Sequence, residues 1–246
     1  MTEPVLEARG VRVVRGGKVI LRAVDVSLVA GEVLGVLGPS GAGKSTLFGA
    51  LVGEIALEAG TVRMGGADVT RVPLWRRARA GLGYVPQTPS VLLDLTVREN
   101  LATYARIALG ESRDADVGVA AARVDLSARL DVRAGDLSAG ERRRLELARA
   151  ITRMPKALVC DEPFAGVDPA GAGRLGALLR SLAKEHGVAV VLADHHVAEA
   201  LRVCDVASLL LDGAVALTAA PGAFEADELV RGRYLGTWTR TIPPPP

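Results

Sequence analysis

The stretch GPSGAGKST at residues 38–46 constrains the fold of this chain more than any other feature. It fits the pattern G-x-x-x-x-G-K-[S/T], in which glycines let a loop close around phosphate groups with its backbone N–H groups pointing inward. The apolar stretch EVLGVLG before it predicts a buried strand, and the residues after it predict a helix that ends near Gly53. A strand, a glycine-rich loop and a helix in this order predict a nucleotide-binding α/β domain.

The loop and the start of its helix are predicted to hold the phosphates of the nucleotide. A helix N-terminus carries partial positive charge and unpaired N–H groups, so it attracts phosphate. Lys44 is expected to reach the β- and γ-phosphates, and the Ser45 hydroxyl to ligate Mg²⁺. The predicted phosphate-binding residues are Gly38, Pro39, Ser40, Gly41, Ala42, Gly43, Lys44, Ser45 and Thr46.

A second group of polar residues follows other predicted strands. Asp161 and Glu162 end the apolar run ALVC, where parallel sheets place their chemistry. Asp161 is predicted to hold Mg²⁺, and Glu162 to orient and polarise the attacking water. His195 ends a further strand and is placed to contact the γ-phosphate. Gln87 follows the strand before the helical segment, a position that carries little information by itself.

The order of predicted strands and helices indicates an α/β fold. Short strands separated by glycine turns fill residues 5–30, and TVRMGGADV predicts a hairpin that turns on Gly65 and Gly66. Strands that alternate with helices predict a mainly parallel sheet with right-handed crossovers. Residues 88–150 show a helical pattern with no clear strand, so they are predicted to be a lobe inserted into that sheet.

Composition and charge exclude several classes of protein. The net charge of +2 is too small to indicate a nucleic-acid-binding face, so no nucleic-acid partner is expected. No apolar run approaches the roughly 18 residues of a spanning helix, and the first ten residues do not fit a signal peptide. The protein is therefore expected in the cytoplasm, or on a membrane surface where a partner takes it.

The stretch LSAGERRRLELARA at residues 137–150 predicts a second helix start shaped to receive an anion. Ser138 and Gly140 open it, far from the phosphate loop in sequence. They could cover the γ-phosphate of a nucleotide held by another copy of the chain. The run Arg142–Arg144 is most simply a solvated helix face, although it could also line the nucleotide or a docking surface.

Taken in order, the phosphate loop, Gln87, LSAGE, LVCDE, GVDP and His195 resemble the nucleotide-binding subunit of an ABC transporter over about residues 5–236. The resemblance implies a RecA-like P-loop NTPase core with a parallel sheet, an antiparallel β subdomain at the N-terminus and an inserted α-helical subdomain. On this division the core with its β subdomain covers 1–87 and 151–220, the helical subdomain 88–150, and a C-terminal extension 221–246.

The resemblance also implies ATP and Mg²⁺ as ligands, and two copies joined head to tail with two ATP molecules between them. Ser138 and Gly140 then contact the γ-phosphate in trans, and Asp168 lies in the loop that links the two sites. Gln87 senses Mg²⁺ and the transmembrane partner, and His195 clamps the γ-phosphate. The implied partners are transmembrane permease subunits with coupling helices, which place the chain on the cytoplasmic face of the inner membrane.

Several stretches narrow the resemblance to the ATPases of lipopolysaccharide export, with ATPases of branched-chain amino-acid importers as the alternative. These stretches are ERRRLELARA, DEPFAGVDP, RRARAGLGYVPQ, ADHHVAEALRVCD and RYLG. Leu92, Leu93 and Leu95 are either the contact for a permease or part of the core of the lobe.

The chain departs from the family pattern at two places. Ala139 stands where the signature usually has its first glycine, while Ser138 and Gly140 remain. Val14 and Arg15 stand where an aromatic residue usually stacks on adenine. A guanidinium can stack on a base plane, so Arg15 is the candidate substitute.

Overall fold

The computed structural model describes residues 3–109 and 114–236, within which ten strands form two sheets. The strands are β1 (Leu6–Arg15), β2 (Lys18–Leu28), β3 (Val33–Leu37), β4 (Ala59–Met64), β5 (Ala67–Asp68), β6 (Leu82–Val85), β7 (Ala157–Asp161), β8 (Ala189–Ala193), β9 (Val206–Leu211) and β10 (Ala214–Ala219). The last part of the tail, TIPPPP, lies outside the described residues.

The helices lie between these strands, and most of them follow the predicted pattern. They are α1 (Lys44–Val52), α2 (Leu74–Ala80), α3 (Val97–Leu109), α4 (Asp114–Arg123), α5 (Ala139–Ile151), α6 (Pro169–Lys184), α7 (Val197–Val203), α8 (Pro221–Ala226) and α9 (Glu228–Val230), which continues into a π turn at Arg231–Leu235. None of the helices in the described ranges is long and apolar enough to span a bilayer.

The central sheet has the strand order β10-β9-β3-β8-β7-β6. Its five strands from β9 to β6 run parallel, and only β10 pairs antiparallel, through an Asp-Gly hairpin with β9. Every residue of β3, β7 and β8 is buried, as expected where helices cover both faces of a parallel sheet. The mainly parallel sheet predicted from the sequence is therefore confirmed, and the loops after these three strands meet at one edge.

The second sheet is antiparallel, in the order β2-β1-β4-β5. Here the prediction of separate short strands around Gly10 was wrong, because β1 is one continuous strand. Gly10 has a positive φ of 57° and lies at a register shift against β2, so it forms a bulge within the strand rather than a turn. The Gly10 N–H donates to the Asp25 carboxylate at 2.6 Å. This bond satisfies an N–H group that the bulge takes out of the hydrogen bonding between strands.

Helix α1 lies between the two sheets and is almost completely enclosed. Phe48, Leu47 and Leu51 are fully buried in a cluster that includes residues from both sheets. The helix ends at Gly53 as predicted, with that glycine in the left-handed region. A Cβ atom there would lie 2.6 Å from the Val72 carbonyl oxygen, so both the conformation and the space require glycine.

Residues 88–150 are helical where the structure describes them. Helices α3, α4 and α5 pack together, and the only strand-like contact in the described part of this segment is one isolated bridge between Thr96 and Arg133. Their apolar residues join a continuous cluster with the central sheet and α6. In α6, Leu175, Leu179 and Leu182 are buried as their spacing predicts, and Leu178 is partly buried.

Candidate active site

The phosphate loop lies between the carboxyl end of β3 and the N-terminus of α1. Gly41 and Gly43 have positive φ values of 80° and 107°. A Cβ atom on Gly41 would meet nothing within 4 Å, so the loop borders open space there. The first N–H groups of α1 have no partner within the helix. The loop therefore has both the opening and the donors that a phosphate group requires.

Lys44 is buried within this loop. Its Nζ donates to the carbonyl oxygens of Gly38 at 2.7 Å and Pro39 at 3.0 Å. Burial lowers the pKa of the Lys44 ammonium, and the negative charges of Glu162 and Asp161 act against that effect. The lysine is thus a partly desolvated cation beside two carboxylates, as a ligand for phosphate oxygens should be.

Asp161 lies at the last position of β7 and is buried. Burial raises the pKa of its carboxyl group, while a hydrogen bond with the Ser45 side chain and the charge of Lys44 lower it. The structure thus brings together Ser45 and Asp161, two of the three predicted Mg²⁺ ligands. Hydroxyl and carboxylate oxygens are the ligand types that Mg²⁺ prefers.

Glu162 is the point where three predicted catalytic residues meet. Gln87 Nε2 donates to Glu162 Oε1 at 2.6 Å, and His195 Nε2 lies 2.9 Å from the same oxygen. Glu162 has a positive φ of 54°, which is unusual for a residue with a side chain, and its N–H donates to the Ala193 carbonyl oxygen at 2.7 Å. Residues far apart in sequence thus share one carboxylate at the edge of the sheet.

Arg143 organises the loops beneath this carboxylate, and it corrects the interpretation of the arginine run as a solvated face. The residue is 6% exposed, and its guanidinium donates to four backbone carbonyl oxygens and to Glu146. The distances are 2.9 Å to Pro86, 2.6 Å to Asp161, 2.8 Å to Glu162 and 3.3 Å to Pro163. Arg143 therefore fixes the loop that carries Gln87 against the strand end that carries Glu162.

Glu146 and Arg149 extend this network into the helical segment. Glu146 lies 2.5 Å from Arg143 and accepts from the Ser90 N–H at 2.6 Å. Arg149 donates to the Ser90 carbonyl oxygen at 2.6 Å and stacks over the ring of Tyr104 at 3.6 Å. The sequence held one signal for this network, since charged residues interrupt the apolar positions of α5 at spacings of three.

Asp194 is a buried carboxylate that the sequence did not identify. One oxygen accepts from the Phe164 N–H at 2.8 Å, and the other accepts from the His196 N–H at 2.8 Å and lies 2.7 Å from His196 Nδ1. His196 is exposed at the start of α7, while His195 faces Glu162. Asp194 thus ties the segment after Glu162 to the segment that carries His195.

The second predicted anion site, at Ser138 and Gly140, lies at the start of α5. Ser138 caps the helix, since its Oγ accepts from the Glu141 N–H at 3.2 Å and the Glu141 carboxylate accepts from the Ser138 N–H at 2.9 Å. Ser138 is exposed. Asp168 caps α6 in a similar way, through the Gly171 N–H at 2.9 Å.

Arg15 lies at the exposed end of β1, paired in register with Lys18. Its stacking on a base stays a prediction, as do the roles of Ser138, Gly140 and Asp168. A cavity of about 460 Å³ also opens beside the phosphate loop, lined by Gly38, Pro39, Ser40, His195, Glu199 and Tyr234 among others. Burial raises the pKa of the Tyr234 hydroxyl, which interacts with the Gly38 backbone.

Comparisons with known proteins agree with this geometry. The family model described as "ABC transporter" matches residues 21–165. The chain is 39% identical to the lipopolysaccharide export system ATP-binding protein LptB of Acidithiobacillus ferridurans, over 89% of this chain and 91% of that protein. It is 35% identical to LptB of Escherichia coli (strain K12), over 89% of this chain and 92% of that protein.

Solved structures show the same fold. A crystal structure of an ATP-binding cassette of an ABC transporter, in its ADP conformation, superposes with a TM-score of 0.86 at 27% identity. That match covers 96% of this chain and all of the other. The superposition agrees with a P-loop NTPase α/β fold and a nucleotide-binding phosphate loop.

Proposed function

The chain belongs to the ABC transporter family as an ATPase subunit, and from that premise we propose how its residues carry out hydrolysis and what the subunit energises. The phosphates of ATP bind in the loop of residues 38–46, where Lys44 exchanges the Gly38 and Pro39 carbonyls for phosphate oxygens. The observation that carries the proposal is that Gln87 and His195 both contact one carboxylate oxygen of Glu162.

Glu162 is proposed to orient and polarise the attacking water. Its neighbour His195 contacts the γ-phosphate, and Gln87 senses Mg²⁺ and the transmembrane partner. Ser45, Asp161 and Gln87 would hold Mg²⁺, which neutralises charge on the β- and γ-phosphates. The mutual contact of Ser45 and Asp161 supports this ligand set.

A second copy of the chain completes each site in the proposed working form. The exposed Ser138, with Gly140, contacts the γ-phosphate bound by the partner, and Asp168 lies in the loop that links the two sites. Arg15 stacks on adenine in place of the usual aromatic residue. Support comes from the separation of the two elements within one chain, since the Ser138 side chain caps its own helix by accepting from the Glu141 N–H.

The proposed membrane partners are two permease subunits at the cytoplasmic face of the inner membrane. Leu92 and Leu93 are 40% and 54% exposed, which favours a docking role for them over a role in the core. Leu95 is half-buried and belongs to the lobe. In the proposed arrangement the core covers 1–87 and 151–220, the helical subdomain 88–150 and the extension 221–246. The helical subdomain, which carries the docking leucines, directly follows Gln87 in the chain and can therefore move with it.

We infer that the transported substrate is lipopolysaccharide, extracted from the inner membrane toward the outer membrane. Identity of 35–39% with LptB proteins over about nine-tenths of the chain supports this assignment. The alternative, an ATPase of a branched-chain amino-acid importer, is not favoured by these relatives.

Affinity purification of the tagged chain from gently solubilised native membranes tests the proposal. We expect a permease pair with large periplasmic domains to co-purify. A permease pair of many helices without such domains would contradict the lipopolysaccharide assignment. Recovery of the chain with no membrane protein would contradict its role in transport.

A further inference from the structure

An exposed cationic and aromatic surface lies on α2, away from the residues assigned to ATP. Trp75 is 51% exposed, and the guanidinium groups of Arg76 and Arg79 lie 4.9 Å and 5.3 Å from the centre of its ring. Both arginines are exposed. These distances are within the range of cation–π contacts. We call Trp75, Arg76 and Arg79 the α2 patch.

The α2 patch concentrates positive charge in a chain that is nearly neutral overall. Residues 69–93 contain four arginines and no aspartate or glutamate, whereas the net charge of the whole chain is +2. Of the four, Arg77 is buried and used internally, and Arg71 is exposed near the patch in sequence. Among the residues that the structure describes, neither Arg76 nor Arg79 forms an ion pair with a carboxylate.

The α2 patch is connected, through contacts with α5 and the residues after it, to the segment that carries the exposed leucines of the helical lobe. The Arg79 carbonyl oxygen accepts from Arg153 at 3.1 Å, just beyond the end of α5. One helical turn earlier, Arg149 donates to the Ser90 carbonyl, two residues before Leu92. Both segments thus contact the same part of α5, so a membrane that lies close to the docked Leu92 and Leu93 would also lie close to the α2 patch.

From this arrangement we propose that the α2 patch binds the anionic phospholipid headgroups of the membrane directly, beside the permease contact. Arginine guanidinium groups bind phosphate through several N–H donors, and exposed tryptophan favours the boundary between headgroups and acyl chains. An acidic protein segment could pair with the arginines, but it would leave the half-exposed indole without an apolar surface. This proposal rests on the proposed function for one point, namely that the region around Leu92 and Leu93 faces the membrane.

The test uses Trp75 as its own probe, in the full chain carrying Trp238→Phe, which leaves Trp75 as the one tryptophan. Fluorescence is recorded on addition of phosphatidylcholine vesicles with or without phosphatidylglycerol. We expect a blue shift and quenching by brominated acyl chains only with the anionic vesicles, weakened by salt. Arg76→Glu with Arg79→Glu should lower the partition coefficient about tenfold or more.

A matched control has Arg22→Glu with Arg106→Glu, two exposed arginines outside the patch, and gives the same change in net charge. Equal loss of binding in the two double variants would overturn the proposal, because net charge alone would explain it. An equal shift with neutral vesicles would overturn it as well. A shift only when the permease is added in detergent would assign the patch to a protein contact instead.

ATP hydrolysis by the same variants is measured in detergent without vesicles. If the chain hydrolyses ATP but its fluorescence does not change with vesicles, the lipid contact is rejected and the proposed function stands. Loss of hydrolysis in the parent Trp238→Phe chain would instead count against the proposed function, whatever the vesicles do.

Discussion

At the scale of single residues, the site depends on carboxylates whose partners are fixed by backbone geometry. Glu162 has a left-handed backbone conformation, held by its N–H bond to Ala193. For a residue with a side chain this conformation is strained by about 1–2 kcal/mol. The strain turns the carboxylate toward Gln87 and His195 instead of along the strand.

Glu162→Gln is expected to lower ATP turnover about 10²-fold or more while ATP binding remains, because the amide cannot act as a base for the attacking water. Phosphate release measures turnover, and binding of a fluorescent ATP analogue measures occupancy. Glu185→Gln, at the C-terminal end of α6, is the matched control with the same chemical change. Unchanged hydrolysis in Glu162→Gln would show that another group activates the water.

Arg143→Met is expected to destabilise the fold by about 3–5 kcal/mol, because it leaves the buried Glu146 without its cation and several carbonyls without a donor. Urea denaturation measures the loss. Arg142→Met, which removes a contact with the Leu137 carbonyl at a less buried position, should cost much less. A double variant, Arg143→Met with Glu146→Met, should recover part of the stability, and a cost as large as that of Arg143→Met alone would contradict the ion-pair explanation.

The sequence predicted the residues that meet at Glu162, but not the residues that hold them in place. Gln87, Glu162 and His195 each follow the carboxyl end of a parallel strand by one or two residues, and these strand ends lie together. Arg143 and Asp194 act on backbone groups from distant loops, and although the three-residue spacing of charged residues in α5 marks Arg143, the local sequence does not identify those backbone partners. Arg143 was therefore grouped with Arg142 and Arg144, although its side chain is buried and theirs are only partly buried.

At the scale of elements, one buried arginine connects α2 to the C-terminus of α1. Arg77 donates to the carbonyl oxygens of Ala50 at 3.0 Å and Leu51 at 2.6 Å, in the last turn of the helix that follows the phosphate loop. It also donates to Val69, Thr70 and Val72 carbonyls. Burial lowers the pKa of this guanidinium to about 10, which still leaves it protonated at neutral pH.

Arg77→Met is expected to destabilise the protein by about 3 kcal/mol, since buried carbonyl oxygens lose their donor. Thermal unfolding followed by circular dichroism measures the loss. Arg76→Met, at the adjacent exposed position, should change stability by less than about 0.5 kcal/mol. Equal stability of the two variants would show that the last turn of α1 needs no side-chain donor.

Helices and strands were predictable from the sequence where the period of the hydrophobic residues and the positions of the glycines indicated the same element. This was so for α1, α6 and the parallel strands. The exception at Gly10 has a physical reason. A glycine with positive φ can end a strand or bulge it, and only the pairing of β1 with β2 and β4 decides between these outcomes.

At the scale of the whole molecule, one chain carries two elements that are proposed to bind anions, the phosphate loop and the start of α5. Head-to-tail assembly predicts that they act on the same nucleotide only across two chains. Lys44→Ala and Ser138→Arg should each abolish hydrolysis, the first by removing a phosphate ligand and the second by blocking the partner's site.

An equimolar mixture of these two inactive variants should regain ATP hydrolysis, because the mixed dimer has one site with both parts intact. Phosphate release measures the recovery, and each variant alone at the same total concentration is the control. No recovery, in a mixture shown by cross-linking to contain mixed dimers, would contradict sites shared between chains.

The shared oxygen of Glu162 joins two separate loops at one atom. Gln87 at 2.6 Å and His195 at 2.9 Å both contact the same carboxylate oxygen, so a movement of either side chain changes what surrounds the carboxylate. In the proposed mechanism, a γ-phosphate that draws His195 toward itself would therefore remove one of the two contacts on that oxygen. Binding of the substrate would thus be coupled to the availability of the proposed base, through an atom that both loops share.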